Sequence, residues 1–416
     1  MALTFQQSQR IRATIPALAD HGDRIITVFY RSLLRNNPEL KNYFNTVNQE
    51  NGFQPRALAS LMLEFANNIN HIYELIPKME RICHKHCSLG IRPDHYVILG
   101  KHLIEAFSEV LGPVLTPDAR LAWTKAYWML ANMFIAREKQ LYGSFGKWNG
   151  WRQFRVDKKV DESEDISSFY LRPVDGSSLP NFMPGQYVSV RVDATGKEYK
   201  QIRQYSLSDA PRPDYYRITI QRDQGSRLSQ HAAPNICPYA TKPGAVSNQL
   251  LDCVRPGDVL EVSHPAGEFF LDTNNLSNEP IILISAGIGV TPMISILNFV
   301  IEQQPDRRVS WIHGARSTVP FCSHIASIAR GRSTFRSKVF KTHLADADLA
   351  GVTYDYDYRV DLAKLCPDDL WLTHDCAEYY VCGPEQFMLE TAQYLEAQHV
   401  DSSRIKFELF STAQRS

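Results

Sequence analysis

The spacing of hydrophobic positions changes twice along the chain. From Ile11 to Leu141 apolar residues recur every three or four positions, which is typical of helices with one buried face. Breakers at Asn36-Asn37-Pro38 and Leu111-Gly112-Pro113 separate the helical segments. The first part of the chain therefore predicts an all-helical domain over residues 1–146. The clearest run of this kind is Trp123, Tyr127, Leu130, Phe134 and Leu141.

A glycine-rich stretch at residues 143–151 ends the helical pattern and is the predicted linker. Beyond it, Tyr216-Arg217-Ile218-Thr219-Ile220-Gln221 alternates apolar and polar positions as a half-buried strand does. Turn motifs at Pro184-Gly185-Gln186-Tyr187 and Arg255-Pro256-Gly257-Asp258 follow at close intervals. This pattern predicts an antiparallel β-barrel over residues 150–272.

The pattern changes again at Ile281-Ile282-Leu283-Ile284, a continuous apolar run typical of a strand that is buried on both faces. A helical stretch follows, and further strands are predicted at residues 309–313 and 379–382. Alternation of buried strands and helices predicts a parallel α/β sheet over residues 273–416. Residues 223–245 are predicted to form a long loop.

Composition narrows the classes of protein to consider. The 416 residues include 45 basic and 45 acidic side chains, so no excess positive charge favours nucleic acid as a partner. No apolar run is long enough to span a bilayer, and the first residues lack the pattern of a secretion signal. The eight cysteines include no Cys-x-x-Cys pair, which favours reduced thiols. We expect a cytoplasmic, monomeric protein without a membrane span.

His86, within His84-Lys85-His86-Cys87, is the candidate metal ligand. An imidazole in an apolar helical region can bind a haem iron from the proximal side. His84 and His86 are two residues apart, so on a helix they point in different directions and cannot both face one metal. The alternative for either residue is a packing or surface role, because the chain has 13 histidines.

Two further polar residues fall at helical positions that favour burial. Glu138 lies one turn beyond Phe134 on the apolar stripe, where a carboxylate is costly unless it is paired. Its partner could be the second ring nitrogen of His86, which would increase electron donation by the imidazole; the alternative is an exposed Glu138 paired with Arg137 or Lys139. Tyr30 is either a core tyrosine or a phenol that donates a hydrogen bond to bound dioxygen.

Two motifs downstream are typical of nucleotide cofactors. A strand that presents Arg203-Gln204-Tyr205-Ser206 can meet a phosphate, an aromatic ring system and a flavin nitrogen together. Ala286-Gly287-Ile288-Gly289-Val290-Thr291-Pro292 follows a buried strand and precedes a helix, so its backbone N–H groups can approach a dinucleotide phosphate. It lacks the third glycine of the Rossmann fingerprint. Either motif alone could be an ordinary strand or turn.

Together these residues resemble a known family. The helical part resembles the globin domain of the flavohaemoglobins at Phe29-Tyr30, at Asn37-Pro38-Glu39-Leu40-Lys41 with Phe44-Asn45, and at Gln54, Lys85-His86 and Tyr96. The rest resembles the ferredoxin-reductase-type module that those proteins carry. The resemblance implies a multidomain fold with an all-α globin, an antiparallel β-barrel FAD domain and an α/β parallel-sheet NAD(P)-binding domain. It also implies nitric oxide dioxygenase activity, with haem b, FAD and NADH or NADPH as cofactors and O₂ and nitric oxide as substrates.

The same resemblance implies the roles of individual residues. In the globin, His86 is the proximal iron ligand, and the residues around the haem are Tyr30, Phe44, Gln54, Leu58, Lys85, Tyr96 and Glu138. The residues implied for FAD are Tyr187, Arg203, Gln204, Tyr205, Ser206, Val246, Ser247 and Asn248. Those implied for the nicotinamide dinucleotide are Gly287, Ile288, Gly289, Val290, Thr291, Pro292, Cys382, Gly383 and Pro384.

Within the globin, the implied relay joins Tyr96 and Glu138 to His86, while Tyr30, Gln54 and Leu58 form the distal oxygen pocket. At the carboxyl end the family commonly has Phe-Gly-Pro, whereas this chain has Phe410-Ser411-Thr412. We expect Phe410 to cover the flavin ring, and the turn at Ser411 to differ.

Other functions remain open from the sequence. One is an oxygen-binding store or sensor that uses the globin alone, and another is an NAD(P)H-dependent reductase of ferric chelates or quinones. The choice between NADH and NADPH is also open. Arg316 and Ser317 follow a predicted strand where an adenosine 2′-phosphate could bind, but they suit an ordinary turn equally well.

Overall fold

The structure is a computed structural model that describes residues 3–43, 53–69, 71–146, 148, 150–225, 243–274 and 277–410. Two predicted site residues, Phe44 and Ser411, lie outside the described residues, as does the side chain of Gln54. Most of the predicted loop at residues 223–245 also lies outside them. Within the described part, no helix combines the length and the hydropathy that crossing a bilayer requires.

The first part of the chain is helical, as predicted. Thr4 begins the first helix with a capping box, in which its hydroxyl and the Gln7 side chain each bind the other's backbone N–H. Pro93 and Pro117 stand in the first turns of later helices, where a missing N–H costs nothing. The helices are α1 Phe5–Arg12, α2 Ile15–Asn36, α3 Phe53–Asn67, α4 Ile76–Leu89, α5 Pro93–Leu111 and α6 Pro117–Gly143.

The helical domain has its own hydrophobic core, in which the largest buried side chain is Trp123. Its ring packs edge-on against Phe107, with ring centroids 5.0 Å apart, and its indole N–H donates to the hydroxyl of Thr14 at 3.0 Å. Helix α4 ends at Gly90, whose φ of +76° is a left-handed conformation that suits glycine. The spacing of apolar residues therefore predicted the helical domain, and of its clearest run Trp123, Leu130 and Phe134 are buried while Tyr127 and Leu141 are partly buried.

The middle part forms a six-stranded antiparallel sheet within the described residues, in the order β4-β3-β6-β1-β2-β5. An isolated bridge between Leu207 and Ile218 joins the chain near the two edge strands, so the sheet closes on itself as a barrel. Helix α7, Ala245–Cys253, packs beside it. The strands are β1 Arg152–Ser163, β2 Ile166–Pro173, β3 Tyr187–Val192, β4 Gln201–Ser206, β5 Tyr216–Gln221 and β6 Val259–Val262.

The last part is a parallel sheet in the order β11-β10-β7-β8-β9. Ile281 and Leu283 belong to one hydrophobic core and Ile282 and Ile284 to another, which explains the unbroken apolar run in the sequence. The strands are β7 Ile281–Ala286, β8 Val309–Ala315, β9 Phe335–Lys341, β10 Glu378–Cys382 and β11 Ile405–Glu408. The helices are α8 Val290–Gln303, α9 Cys322–Gly331, α10 Pro367–Leu370 and α11 Glu385–Ala397.

The predicted fold class is confirmed: a helical domain, an antiparallel barrel and a parallel α/β sheet follow one another along the chain. The predicted linker falls between the end of α6 at Gly143 and the start of β1 at Arg152. The residue numbers at which the three domains begin and end stay predictions.

Candidate functional site

His86 lies on α4 and meets side chains from the next two helices. Its Nδ1 is 2.8 Å from the carboxylate of Glu138 on α6 and 2.9 Å from the hydroxyl of Tyr96 on α5. The Tyr96 hydroxyl in turn donates to the same Glu138 oxygen at 2.5 Å. A carboxylate can only accept hydrogen bonds, so Nδ1 carries the ring proton and donates a hydrogen bond to Glu138. The Nε2 lone pair is then free to bind a metal.

The alternative of an exposed Glu138 is excluded, because its side chain is only 4% exposed. A buried carboxylate is costly unless donors satisfy it, and here His86 and Tyr96 both donate to it. Burial, followed by the charge of Glu138, raises the pKa of Tyr96, so the phenol stays protonated. The prediction of a buried partner for Glu138 thus has a geometric basis, while the catalytic roles of these residues stay predictions.

The surroundings of His86 fit a haem. Phe134 packs on the imidazole at a ring separation of 5.9 Å and stacks with Tyr96 at 6.4 Å, which forms an apolar wall. Among the described residues, no group hydrogen-bonds Nε2, and the His86 side chain remains 30% exposed. Binding a haem iron from the proximal side requires one imidazole with a free nitrogen in apolar surroundings, and His86 provides it.

The residues predicted for the distal pocket come from α2 and α3, which pack on each other. Tyr30 on α2 packs edge-on against Phe29 with ring centroids 5.0 Å apart, and burial raises the pKa of its phenol. Leu58 on α3 packs against the same core. Gln54 lies one turn before Leu58, with its backbone in α3. Lys85 precedes His86 on α4, and burial, followed by the charge of Arg81, lowers its pKa to about 8.

The predicted flavin residues lie on the paired strands β3 and β4. Tyr187 pairs with Ser206, and the hydroxyl of Tyr205 is buried without a hydrogen-bond partner among the described residues. Such an orphaned buried hydroxyl is costly unless a ligand satisfies it. The Arg203 guanidinium donates to the Ile202 carbonyl at 2.8 Å, and burial lowers its pKa. A half-buried cation next to an unsatisfied phenol fits a ligand that combines a phosphate and an aromatic ring.

Helix α7 begins next to this strand pair. Val246 is buried in its first turn, followed by Ser247, and Gly244 supplies no side-chain cap. Asn248 is held in place because its amide donates to the Asp223 carbonyl at 3.0 Å and its amide oxygen accepts from the Asp223 N–H at 3.1 Å. The uncapped N–H groups of the first turn suit the pyrophosphate predicted there.

The two nucleotide motifs meet at the carboxyl edge of the parallel sheet. Gly287 has a φ of +57°, and a Cβ on Gly289 would come within 2.3 Å of the Cys382 carbonyl. Glycine at position 289 is therefore what allows this close approach. Ligands of open α/β sheets bind at this edge. The other predicted residues occupy the same loop, the first turn of α8 and the end of β10: Ile288, Val290, Thr291, Pro292, Gly383 and Pro384.

Sequence reasoning did not find Glu408, which ends β11 and pairs in register with Cys382. Burial and the charge of Glu268 raise the pKa of Glu408 to about 8, against an opposing effect of Arg81. Burial, followed by the charge of Glu408, raises the pKa of Tyr187. The feature of the sequence that could have indicated Glu408 as a site residue is a charged side chain at the end of a short final strand. Phe410 follows two residues later and is 50% exposed.

Three family models match consecutive parts of the chain. They are described as Globin, matching residues 27–134, Oxidoreductase FAD-binding domain, matching residues 153–271, and Oxidoreductase NAD-binding domain, matching residues 283–393. The order of the three matches is the order of the three parts of the fold.

Curated relatives match over almost the whole length. A protein named Flavohemoprotein from Oceanobacillus iheyensis is 40% identical over 417 residues, covering 98% of this chain and 96% of that protein. Flavohemoprotein from Bordetella parapertussis is 40% identical and covers 97% of both chains.

Two solved structures are also similar. The flavohemoglobin from Malassezia yamatoensis, determined with bound FAD and haem, has a TM-score of 0.80 and 27% identity, covering 99% of this chain and 100% of that one. The FAD/NAD-binding domain of nitric oxide dioxygenase from Vibrio cholerae has a TM-score of 0.52 and 31% identity, covering 62% of this chain and 98% of that one.

Proposed function

This chain belongs to the flavohaemoprotein family, and we propose on that premise that it oxidises nitric oxide to nitrate with O₂ and NADH or NADPH. Its cofactors are haem, FAD and a nicotinamide dinucleotide. One hydride supplies two electrons, so two nitric oxide and two O₂ molecules give two nitrate ions, one oxidised coenzyme and one proton. The Vibrio cholerae nitric oxide dioxygenase, whose FAD/NAD-binding domain is similar to this chain, supports the assignment.

The observation that carries the proposal is the contact of Glu138 and Tyr96 with the imidazole of His86. A carboxylate on Nδ1 increases the electron donation of an imidazole to a metal on Nε2. That electron donation favours oxidised iron and O–O chemistry, and it disfavours the reversible binding that an oxygen store requires. When bound, haem supplies O₂ binding, and FAD divides a hydride into single electrons.

The distal residues support the same function. Tyr30 is half-buried, and burial raises the pKa of its phenol, so the proton stays on the oxygen and can be offered in a hydrogen bond to a ligand with partial negative charge. Leu58 on α3 adds to the apolar surface on this side.

The other two domains bring an electron source to the helical domain. The Tyr205 hydroxyl and the Arg203 guanidinium prepare a site for flavin on β4. The contact of Gly289 with Cys382 shapes the carboxyl edge of the parallel sheet for a nicotinamide dinucleotide. Glu408 pairs in register with Cys382 at this edge and can hold or release a proton near neutral pH, because its pKa is raised to about 8.

The test is nitric oxide consumption by the purified protein with its cofactors. We expect consumption to need both O₂ and NAD(P)H, and nitrate to form with one coenzyme oxidised per two nitrates. Glu138→Gln should lose most of this turnover while Glu109→Gln, an exposed carboxylate on α5, should keep it. O₂ binding without turnover would instead indicate a store, and fast reduction of ferric chelates or quinones without nitrate would indicate a reductase.

A further inference from the structure

Helix α4 has a second functional stripe on the side opposite the one that carries His86. Arg81, His84 and Ser88 are spaced by three and four residues, so they lie along one side of the helix. His86 is two positions from His84, about 200° around the helix axis at 3.6 residues per turn. We call Arg81, His84 and Ser88 the docking stripe, because each of them contacts a residue beyond the helical domain.

The contacts of the docking stripe reach three segments of the other domains. His84 Nδ1 accepts the backbone N–H of Gly267 at 3.1 Å in a buried hydrogen bond. The Ser88 hydroxyl accepts from the Gln204 amide at 3.2 Å, and the Arg81 guanidinium donates to the Leu409 carbonyl at 3.1 Å. Gln204 was predicted to bind flavin, and it is also a residue of β4 that contacts the helical domain.

The His84 contact is the most constrained of the three. Because Nδ1 accepts, the ring proton must be on Nε2, which lies 3.3 Å from the Glu80 carboxylate. Glu80 is fixed by Arg137, whose Nε donates to it at 2.7 Å. A chain of charged and polar groups from α6 through α4 therefore fixes the tautomer and orientation of His84.

On the other side of the contact, Gly267 is part of a turn joined to the flavin strands. Its φ is +119°, and a Cβ there would come within 3.1 Å of the Tyr187 ring. The preceding residue, Ala266, exchanges both backbone hydrogen bonds with Tyr187, at 2.8 and 2.9 Å. The helix of the candidate iron ligand is thus linked to the candidate flavin tyrosine through one hydrogen bond and one rigid turn.

We propose that His84 is a positioning residue that holds the flavin-bearing barrel against the helix of His86 and so sets the rate at which electrons pass from flavin to haem. The inference rests on the proposed function only in requiring that transfer, and it does not depend on nitric oxide chemistry. Electron transfer slows steeply as the separation of two cofactors grows, so loss of this bond lowers the transfer rate and leaves hydride delivery to flavin intact.

The main experiment is anaerobic stopped-flow reduction of the full-length holoprotein by NADH and by NADPH in carbon monoxide, without nitric oxide. Flavin bleaching and formation of the carbon monoxide complex of ferrous haem are recorded separately. In His84→Leu we expect the haem phase to slow by about 3- to 10-fold, matching the loss of one buried hydrogen bond, with the flavin phase within twofold. In His84→Asn, whose Oδ1 stands where Nδ1 was, the haem phase should recover.

Two controls separate positioning from damage to the haem pocket. Ser88→Ala removes a second contact of the docking stripe and should slow the haem phase in the same direction, whereas Ser108→Ala, a hydroxyl that bonds within its own helix at Ile104, should not. Reduction of His84→Leu with dithionite should give an unchanged carbon monoxide spectrum. Small-angle X-ray scattering should show a larger radius of gyration for His84→Leu and a parental value for His84→Asn.

Three results would overturn the proposal. They are an unchanged haem phase in His84→Leu, equal slowing in His84→Leu and His84→Asn, and an altered carbon monoxide spectrum after dithionite reduction. The proposed dioxygenase activity could fail with all of these measurements as expected, since nitric oxide is absent from each of them.

Discussion

The side-chain amide of Asn298 donates to the carboxylate of Asp209 at 2.7 Å, and both side chains are buried. Asp209 follows the flavin strand β4 by three residues, and Asn298 lies on α8, the helix that the nucleotide loop begins. The Ser295 hydroxyl of the same helix donates to the Asp209 carbonyl at 2.7 Å, and Tyr215 donates to the carboxylate at 2.9 Å. This carboxylate therefore joins the barrel to the parallel sheet.

We expect Asp209→Ala to slow flavin reduction by NAD(P)H, because the two domains that must present hydride and flavin lose their buried link. Asn298 and Tyr215 would each lose an acceptor, at a cost of about 1–3 kcal/mol for an unsatisfied buried group. Stopped-flow flavin bleaching and thermal unfolding measure the two effects. Asp214→Ala, which removes an exposed carboxylate paired with Arg172, is the matched control. A parental bleaching rate in Asp209→Ala would show that the link does not affect hydride transfer.

Glu138→Gln should raise the midpoint potential of the haem and lower nitric oxide turnover by about 10- to 100-fold, the usual cost of losing a group that tunes a metal ligand. The amide keeps the shape of the carboxylate but removes the charge that favours oxidised iron. Redox titration followed by absorbance measures the potential. Glu109→Gln, which lies exposed on α5, should leave the potential unchanged. An unchanged potential in Glu138→Gln would mean that the carboxylate only orients the ring.

Tyr30→Phe should speed the release of O₂ from the reduced protein by about 5- to 150-fold, since a hydrogen bond to a charged acceptor is worth about 1–3 kcal/mol. The ring and its contact with Phe29 remain, so haem content and fold should persist. Stopped-flow measurement of O₂ dissociation gives the rate directly, with Tyr358→Phe as a control on the surface of the last domain. A change of less than twofold would assign the distal donor to another residue.

His264 should make the protein less stable in acid. Its ring stacks on Phe145 at 4.6 Å, Tyr142 lies edge-on, and the Nε2 atom is buried without a partner among the described residues. Burial, followed by the charge of His84, lowers the pKa of His264 to about 4. The unfolded chain binds a proton below its ordinary pKa of about 6.5 while the folded chain does not. The contribution of the neutral His264 ring to the free energy of unfolding is therefore fully present above its ordinary pKa, and it is lost as the pH falls toward 4.

We expect His264→Asn, which keeps a donor for the Pro265 carbonyl, to lose less stability than the parent between pH 7 and pH 5. The difference should approach ~2 kcal/mol at pH 5, since one pH unit is worth about 1.4 kcal/mol for one group. Thermal unfolding of both proteins at the two values measures it. His21→Asn, at an exposed position on α2, should behave like the parent. Parallel losses in His264→Asn and the parent would show that His264 titrates normally.

Local patterns predicted much of the fold because buried positions are mostly hydrophobic and recur at the spacing of helices and strands. The run Ile281-Ile282-Leu283-Ile284 predicted a strand with a hydrophobic core on each face, and both cores are present. The position of Glu138 on an apolar stripe left two alternatives, a buried carboxylate with a partner and an exposed one, and Glu138 is buried.

The contacts between domains have no such pattern in the sequence. His84 binds a backbone N–H that lies 183 residues away, and a main-chain partner has no residue type for a pattern to detect. Asp209 was overlooked because a carboxylate after a strand is an ordinary loop residue until α8 packs against it. Gln204 was assigned to flavin from its motif alone, although it also donates to Ser88.

Three hydrogen bonds of the helical domain are made with main-chain atoms of the rest of the chain. Asn42 accepts the N–H of Lys200, His84 accepts that of Gly267, and Arg81 donates to the carbonyl of Leu409. Such contacts depend on where the backbone runs and not on which side chains it carries. A reductase from a divergent relative with the same backbone course should therefore keep these three contacts without redesign, whereas the contact with Ser88 also needs an amide at position 204.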